Sequence, residues 1–166
     1  MSKIELIRVD FRMIHGQVIV KWLKKTGANK ILAINDAIAL APHGAYIYRV
    51  AATAGVERQT MTRDDAIRYL SANDGSNDKL LILLKNVEDA YYCFKNGMPV
   101  PHLQIGGLGA GPNRINVFGA VTLDNADAKL LKEMSDAGVD VYFHLVPDES
   151  KAGLDKILNK YSFDLS

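Results

Sequence analysis

Polar and apolar residues alternate through most of Lys3-Ile4-Glu5-Leu6-Ile7-Arg8-Val9, the period of a strand. Immediately downstream the period changes. Ile14, Val18 and Trp22 recur every fourth residue with Ile19 and Leu23 beside them, which gives a helix one apolar face. Gly27 and Asn29 stop that helix, behind Lys24 and Lys25 in its last turn. Residues 10–14 are therefore predicted to turn from strand to helix, with His15 in the helix's first turn.

The same contrast of periods continues along the chain. The apolar run Lys30-Ile31-Leu32-Ala33-Ile34 fits a buried parallel strand and ends in Asn35-Asp36. A helix is predicted to begin near Ala37, break near Pro42 and resume through Tyr46, Ile47, Val50 and Ala51. A weaker strand over 56–61 leads to Thr62-Arg63-Asp64-Asp65, which caps a helix that buries Ile67 and Leu70. The polar stretch 71–78 is too short to join two domains. Lys79–Leu84 is the clearest buried strand, and Lys85-Asn86 lead from it into a helix over Val87–Lys95 closed by Asn96-Gly97. Strands are predicted over 102–105 and 114–118, on either side of a glycine-rich loop. A helix over 125–137, a strand over 139–146 and a helix over 150–160 complete the chain.

Strands alternating with helices at this spacing predict an α/β fold of three layers, a mainly parallel sheet covered on both faces. Ligands bind such sheets at the carboxyl ends of strands. That rule gathers Asp10 to His15, Asn35-Asp36, Lys85-Asn86 and Gly106-Gly107 on one rim.

Composition narrows the function. The 166 residues suit a single domain, 1–166, long enough to bury roughly 70% of the unfolded surface. Lys and Arg total 20 against 19 acidic residues, and a net charge of +1 gives no argument for a nucleic-acid partner. No run of eighteen apolar residues is present, and the N-terminus leads straight into a strand, so neither a spanning helix nor a secretory signal is expected. A lone Cys93 suits a reducing cytoplasm; with no basic neighbour it is expected to be core filler. His43, His102 and His144 lack ligand spacing, so no metal or other cofactor is expected. Asp124 and Asp127, without a basic partner in the sequence, are expected to open a helix.

The chemistry concentrates in Arg8-Val9-Asp10-Phe11-Arg12-Met13-Ile14-His15-Gly16-Gln17-Val18. The first amides of a helix lack partners and carry the positive end of its dipole, so a phosphoryl group is stabilised near Ile14, Gly16 and Gln17. The same field favours a neutral, nucleophilic His15. Arg8 and Arg12 can hold phosphate oxygens, and Asp10 can accept an imidazole N–H and fix the tautomer. These are the parts of a phosphoryl-accepting histidine. The same residues also fit a histidine capping a helix beside solvated arginines. Gly106 and Gly107 could let the backbone approach a phosphoryl group; the run Gly106-Gly107-Leu108-Gly109-Ala110-Gly111 otherwise matches neither nucleotide-loop template and leads to a strand. A second arrangement pairs Asp10 with Asp36 around Mg²⁺, with Lys85 nearby, as an aspartyl-phosphate receiver or small-ligand binder.

The stretch from Arg8 to Val18, followed by Trp22, resembles the signature of the enzyme IIB component of the mannose/fructose/sorbose class of bacterial sugar phosphotransferase systems. The likeness continues through Asn35-Asp36, Ile105-Gly106-Gly107 and Val121-Thr122-Leu123-Asp124, the last read as the start of a late helix. It implies that His15 takes a phosphoryl group from a IIA protein and passes it to a sugar entering through the membrane components IIC and IID, with Arg12 and Asp10 beside it. It further implies a sheet of about seven strands with one antiparallel edge strand, a cytoplasmic protein at the inner face of the membrane, and sugar specificity residing largely in IIC and IID. A homodimer is permitted. Phe11 departs from the pattern, which usually carries a second acidic residue there.

Overall fold

In the computed structural model, which describes residues 2–43, 55–72 and 76–166, strand β1 (Lys3–Asp10) lies at the middle of a seven-stranded sheet. On one side of it come β4 (Lys79–Leu84), β2 (Lys30–Ile34) and β3 (Glu57–Met61). On the other come β5 (His102–Gly107), β8 (Asp140–Phe143) and the two-residue β9 (Ala152–Gly153). Every pair is parallel except β8 with β9, the expected antiparallel edge. Two further strands, β6 (Ile115–Phe118) and β7 (Val121–Leu123), form a separate antiparallel ribbon.

Continuous apolar runs dictate this layering. Leu80 to Leu84 are all fully buried, as a parallel strand covered on both faces requires. Each such aliphatic side chain contributes about 1.5–3 kcal/mol of transfer free energy. Leu6, Ala33, Leu81 and Leu83 face α1 (Gly16–Thr26) and α2 (Asp36–Leu40). Ile7, Val9, Ile82 and Leu84 face α3 (Arg63–Ser71), α4 (Val87–Lys95), α5 (Asn125–Asp136) and α6 (Leu154–Lys160). The chain leaving β1 thus crosses one face through α1, and the chain leaving β4 crosses the other through α4. The two connections diverge above the carboxyl end of β1 and open a crevice there.

Capping side chains set the helix starts. Asn35, Thr62, Asn86 and Asp124 each accept a hydrogen bond from the amide three residues on. The C-terminus of α1 closes on Gly27, whose φ of 71° is the left-handed conformation that glycine adopts without strain.

Several expectations are corrected. Residues 121–123 are a strand rather than the start of a helix, because Leu108 bridges Val121 and all three side chains are buried against β6 and the sheet. The strand over 114–118 therefore lies outside the main sheet, and β9 supplies the seventh strand. The last helix begins at Leu154 rather than 150, since Ala152-Gly153 pair with β8 first. Strand β8 is shorter than 139–146. The resumed helix through Tyr46 to Ala51 lies outside the described residues, as do residues 73–75 of the polar stretch.

One histidine closes the β1–β5 ladder. The Ile7 amide donates to Nε2 of His102 at 3.1 Å, which requires that nitrogen to be unprotonated. Burial lowers the His102 pKa, with Asp140 opposing. A lowered folded-state pKa gives stability that is complete above the unfolded value of about 6.5 and is lost as pH falls through the folded value. Urea midpoints measured from pH 7 to pH 5 should fall less steeply for His102→Gln than for the parent chain; equal slopes contradict this role.

Candidate active site

Alternation along β1 turns Leu6, Arg8 and Asp10 toward α1 and buries Ile7 and Val9 on the opposite face. Arg8 is fully buried. Its Nη1 donates to Gln104 Oε1 at 2.5 Å and to the His144 carbonyl at 2.9 Å. Its Nη2 donates to Asp10 Oδ2 at 3.2 Å and to the Leu145 carbonyl at 3.1 Å. The guanidinium lies 5.6 Å from the centre of the Trp22 ring, and the Trp22 indole N–H donates to the same Leu145 carbonyl. Burial lowers the Arg8 pKa, opposed by the attraction of Asp10. A charge this deep persists only when paired and hydrogen-bonded. The expected contact of Arg8 with phosphate oxygens is therefore replaced by an internal role: it holds Asp10, the crossing helix and the 144–145 backbone together.

Asp10 is also fully buried. Its Oδ1 accepts from the Arg12 amide and from Arg12 Nε, each at 3.1 Å. Its Oδ2 accepts from Arg8 Nη2 and Arg12 Nη2, each at 3.2 Å. Arg12 keeps 36% of its side chain exposed, and its Nη1 makes no hydrogen bond among the described residues. The turn is closed by Phe11 N to the Gly107 carbonyl and Met13 N to the Asp10 carbonyl.

His15 is the N-cap of α1 rather than a residue of its first turn, with an extended φ of −145° and no capping bond from its side chain. Its Nδ1 lies 3.1 Å from the Met13 carbonyl. Its Nε2 is buried, lies 3.8 Å from Asp10 Oδ2 and has no hydrogen-bond partner among the described residues. The ring is thus oriented by Met13 and not, as expected, by Asp10, whose oxygens are already occupied by the arginines. Met13 aims its carbonyl from a positive φ of 60°, a conformation no sequence signal announces for methionine. The side chain of His15 is 22% exposed. The amides at the start of α1 beside it lack intrahelical partners. Gly16 and Gln17 are exposed there, and Ile14 packs inward.

Gly106 and Gly107 serve a purpose different from the expected phosphate cradle. A Cβ on Gly106 would fall 1.9 Å from Arg8 Cζ, and one on Gly107 would fall 2.9 Å from Asp10 Oδ1. Both are buried, and their missing side chains are the space the Arg8–Asp10–Arg12 group fills. Gln104, a polar residue inside an otherwise apolar strand, was the sequence's own sign that something charged lay opposite it.

Asn35 and Asp36 form a different cluster. Asp36 accepts from the Arg63 amide at 2.8 Å and from Arg63 Nε at 3.2 Å, while Asn35 Nδ2 donates to Asp89 Oδ2 at 2.9 Å. Strand β4 separates β2 from β1. The pairing of Asp10 with Asp36 is consequently not assembled, because Arg8 and Arg12 hold the first carboxylate and Arg63, at the start of α3, holds the second. Lys85 lines a neighbouring cleft of about 640 Å³ with Phe11, Glu88 and Arg114. Asp124 and Asp127 do have a basic partner, Arg114, at 3.2 and 2.7 Å. Cys93 is fully buried and its thiol is pushed up to about 12, mainly by burial. Among the described residues no group of three His, Cys, Asp or Glu side chains is placed to hold a metal ion.

Residues 4–166 match the family described as the PTS system sorbose subfamily IIB component. The N-acetylgalactosamine-specific phosphotransferase enzyme IIB component 2 of Escherichia coli K12 is 28% identical over 158 residues, covering 95% of this chain and 100% of that protein. Among solved structures, manxB from Thermoanaerobacter tengcongensis has a TM-score of 0.91 at 33% identity, covering 97% of this chain and 98% of its own. The IIBSor domain of the sorbose permease from Klebsiella pneumoniae also reaches 0.91, at 25% identity, covering 98% and 99%.

Gly106→Ala should lower unfolding free energy by roughly 3 kcal/mol or more, because the new methyl overlaps a buried guanidinium that cannot leave its partners. Gly153→Ala, with nothing within 4 Å of the added Cβ, should change it by under about 0.5 kcal/mol. Urea denaturation of the two variants checks the contrast; equal effects would refute the space-filling account of Gly106.

Proposed function

The chain belongs to the sorbose-subfamily IIB components of the sugar phosphotransferase system, and from that premise we propose that His15 is its phosphoryl carrier. It takes the group from a phosphohistidine on a IIA protein and gives it to a sugar hydroxyl during uptake through IIC and IID. One observation supports this above the rest: Asp10 Oδ2 lies 3.8 Å from His15 Nε2 and 3.2 Å from Arg12 Nη2, so imidazole and half-exposed guanidinium meet around a single oxygen at the mouth of α1.

In the first transfer an N–P bond breaks on the donor imidazole and one forms on His15; each ring keeps its single N–H, so no proton is exchanged with solvent. In the second, the N–P bond breaks as an O–P bond forms, and the hydroxyl proton ends on the imidazole that lost the phosphoryl group. Phosphoryl transfer asks for little covalent help from a protein beyond alignment and stabilisation of spread negative charge. Arg12 Nη1 and the first amides of α1 supply the latter. Exposed Phe11 and the rim around it face the two partners that must dock in turn. No helix among the described residues is long and apolar enough to cross a membrane; the carrier is assigned to the cytoplasm, at the inner face where IIC and IID present the sugar.

Mixing the chain with phosphorylated IIA should add one phosphoryl group that survives alkali and is lost in acid. His15→Ala should gain none while keeping its circular dichroism and thermal midpoint. Arg12→Gln should slow acceptance roughly a hundredfold, the scale for removing a charge-stabilising donor. Alkali-labile labelling that persists in His15→Ala and disappears in Asp10→Asn would replace this function with the receiver reading.

A further inference from the structure

A carrier has to release what it accepts, and the surroundings of His15 contain a feature that favours release. Arg8, Asp10 and Arg12 sum to one positive charge, whereas the phosphoryl group itself carries close to two negative ones. Asp10 is buried, so its field is poorly screened by solvent, and its Oδ2 is fixed 3.8 Å from His15 Nε2 by bonds from both arginines. It also accepts from Nε and from one N–H of Nη2 of Arg12, leaving the Nη1 group and the second Nη2 N–H of that side chain for a ligand. Two effects follow: like-charge repulsion of the phosphoryl group, and engagement of the Nε–Nη2 edge of Arg12, one of the two edges through which a guanidinium binds an oxyanion by parallel hydrogen bonds.

We propose that Asp10 is a positioning residue that keeps the phosphoryl group on His15 transferable. This rests on the reading of His15 as the carrier. Without the carboxylate, the two arginines would stabilise the phosphorylated state far more than the empty one and turn a relay into a trap. Binding energy spent on the intermediate raises the barrier to the onward step. Asp10 holds the arginines in place before the phosphoryl group arrives and offsets them after it has.

The test is the equilibrium of phosphoryl exchange between a phosphorylated IIA donor and this chain, read from the phosphorylated fraction of each protein. Asp10→Asn retains an oxygen to accept from Arg8 and Arg12 but carries no charge. The equilibrium should move at least tenfold toward the phosphorylated chain, with slower passage to sugar once IIC and IID are added. A shift below twofold, or one toward the donor, overturns the proposal, because a purely structural role would not favour the phosphorylated form. Should Asp10→Asn fail to give a folded amide spectrum, Arg8→Gln with Asp10→Asn removes both buried charges together. That chain should still shift at least threefold toward the phosphorylated form, and no shift there overturns the proposal equally. A parent chain that takes up no phosphoryl group at all refutes the carrier reading instead, a result distinguishable from either.

Discussion

The buried ion pair between Arg8 and Asp10 is the constraint around which this end of the molecule is built. Two charges with no solvent exposure survive in a sheet only if nearly every lone pair and N–H is matched. Gln104, the carbonyls of His144 and Leu145, and the amide and fork of Arg12 provide that matching. Removing one member would leave the other charged and unpaired, at a cost of about 3–5 kcal/mol. The pair ties β1, β5, the segment after β8 and, through the Trp22 indole, helix α1 to one another.

From that anchorage the geometry of the loop follows. Asp10 accepts the Arg12 amide, Met13 turns back to bond the Asp10 carbonyl, and the Met13 carbonyl in turn meets His15 Nδ1. A histidine on an exposed loop would otherwise sample many orientations. Here the ring is fixed by backbone whose own position is set by a buried carboxylate. The glycines of β5 are part of the same arrangement, since only residues without a Cβ leave room for the guanidinium of Arg8 and the carboxylate of Asp10.

Much of the architecture could be read from periodicity. The spacing of Val18 and Trp22, the leucine run of β4 and the cap at Thr62 appear where local pattern placed them, whereas Ile14 falls ahead of the N-cap of α1. Strands β7 and β9 were not legible, because segments of three and two residues are defined by their pairing partners and carry no period of their own. The site was half legible for a similar reason. Residues close in the chain, from Arg8 to His15, could be grouped, but which strand lay beside β1 was not written in any local pattern. Arg8 thus looked like a surface phosphate ligand and Gly106 like a phosphate cradle, when each exists to accommodate the other across β1 and β5. Asn35 and Asp36 sit at a strand end as expected, yet β4 stands between them and the histidine.

On the proposed reading, a small number of side chains answer for one chemical event, attachment of phosphorus to an imidazole at the head of α1. The most direct measurement is nuclear magnetic resonance of the ¹⁵N-labelled chain after incubation with phosphorylated IIA. The account predicts phosphorus bonded to a ring nitrogen of His15, with the rings of His43, His102 and His144 unchanged. Phosphorus on any of those three rings, or on a carboxylate oxygen, would contradict it.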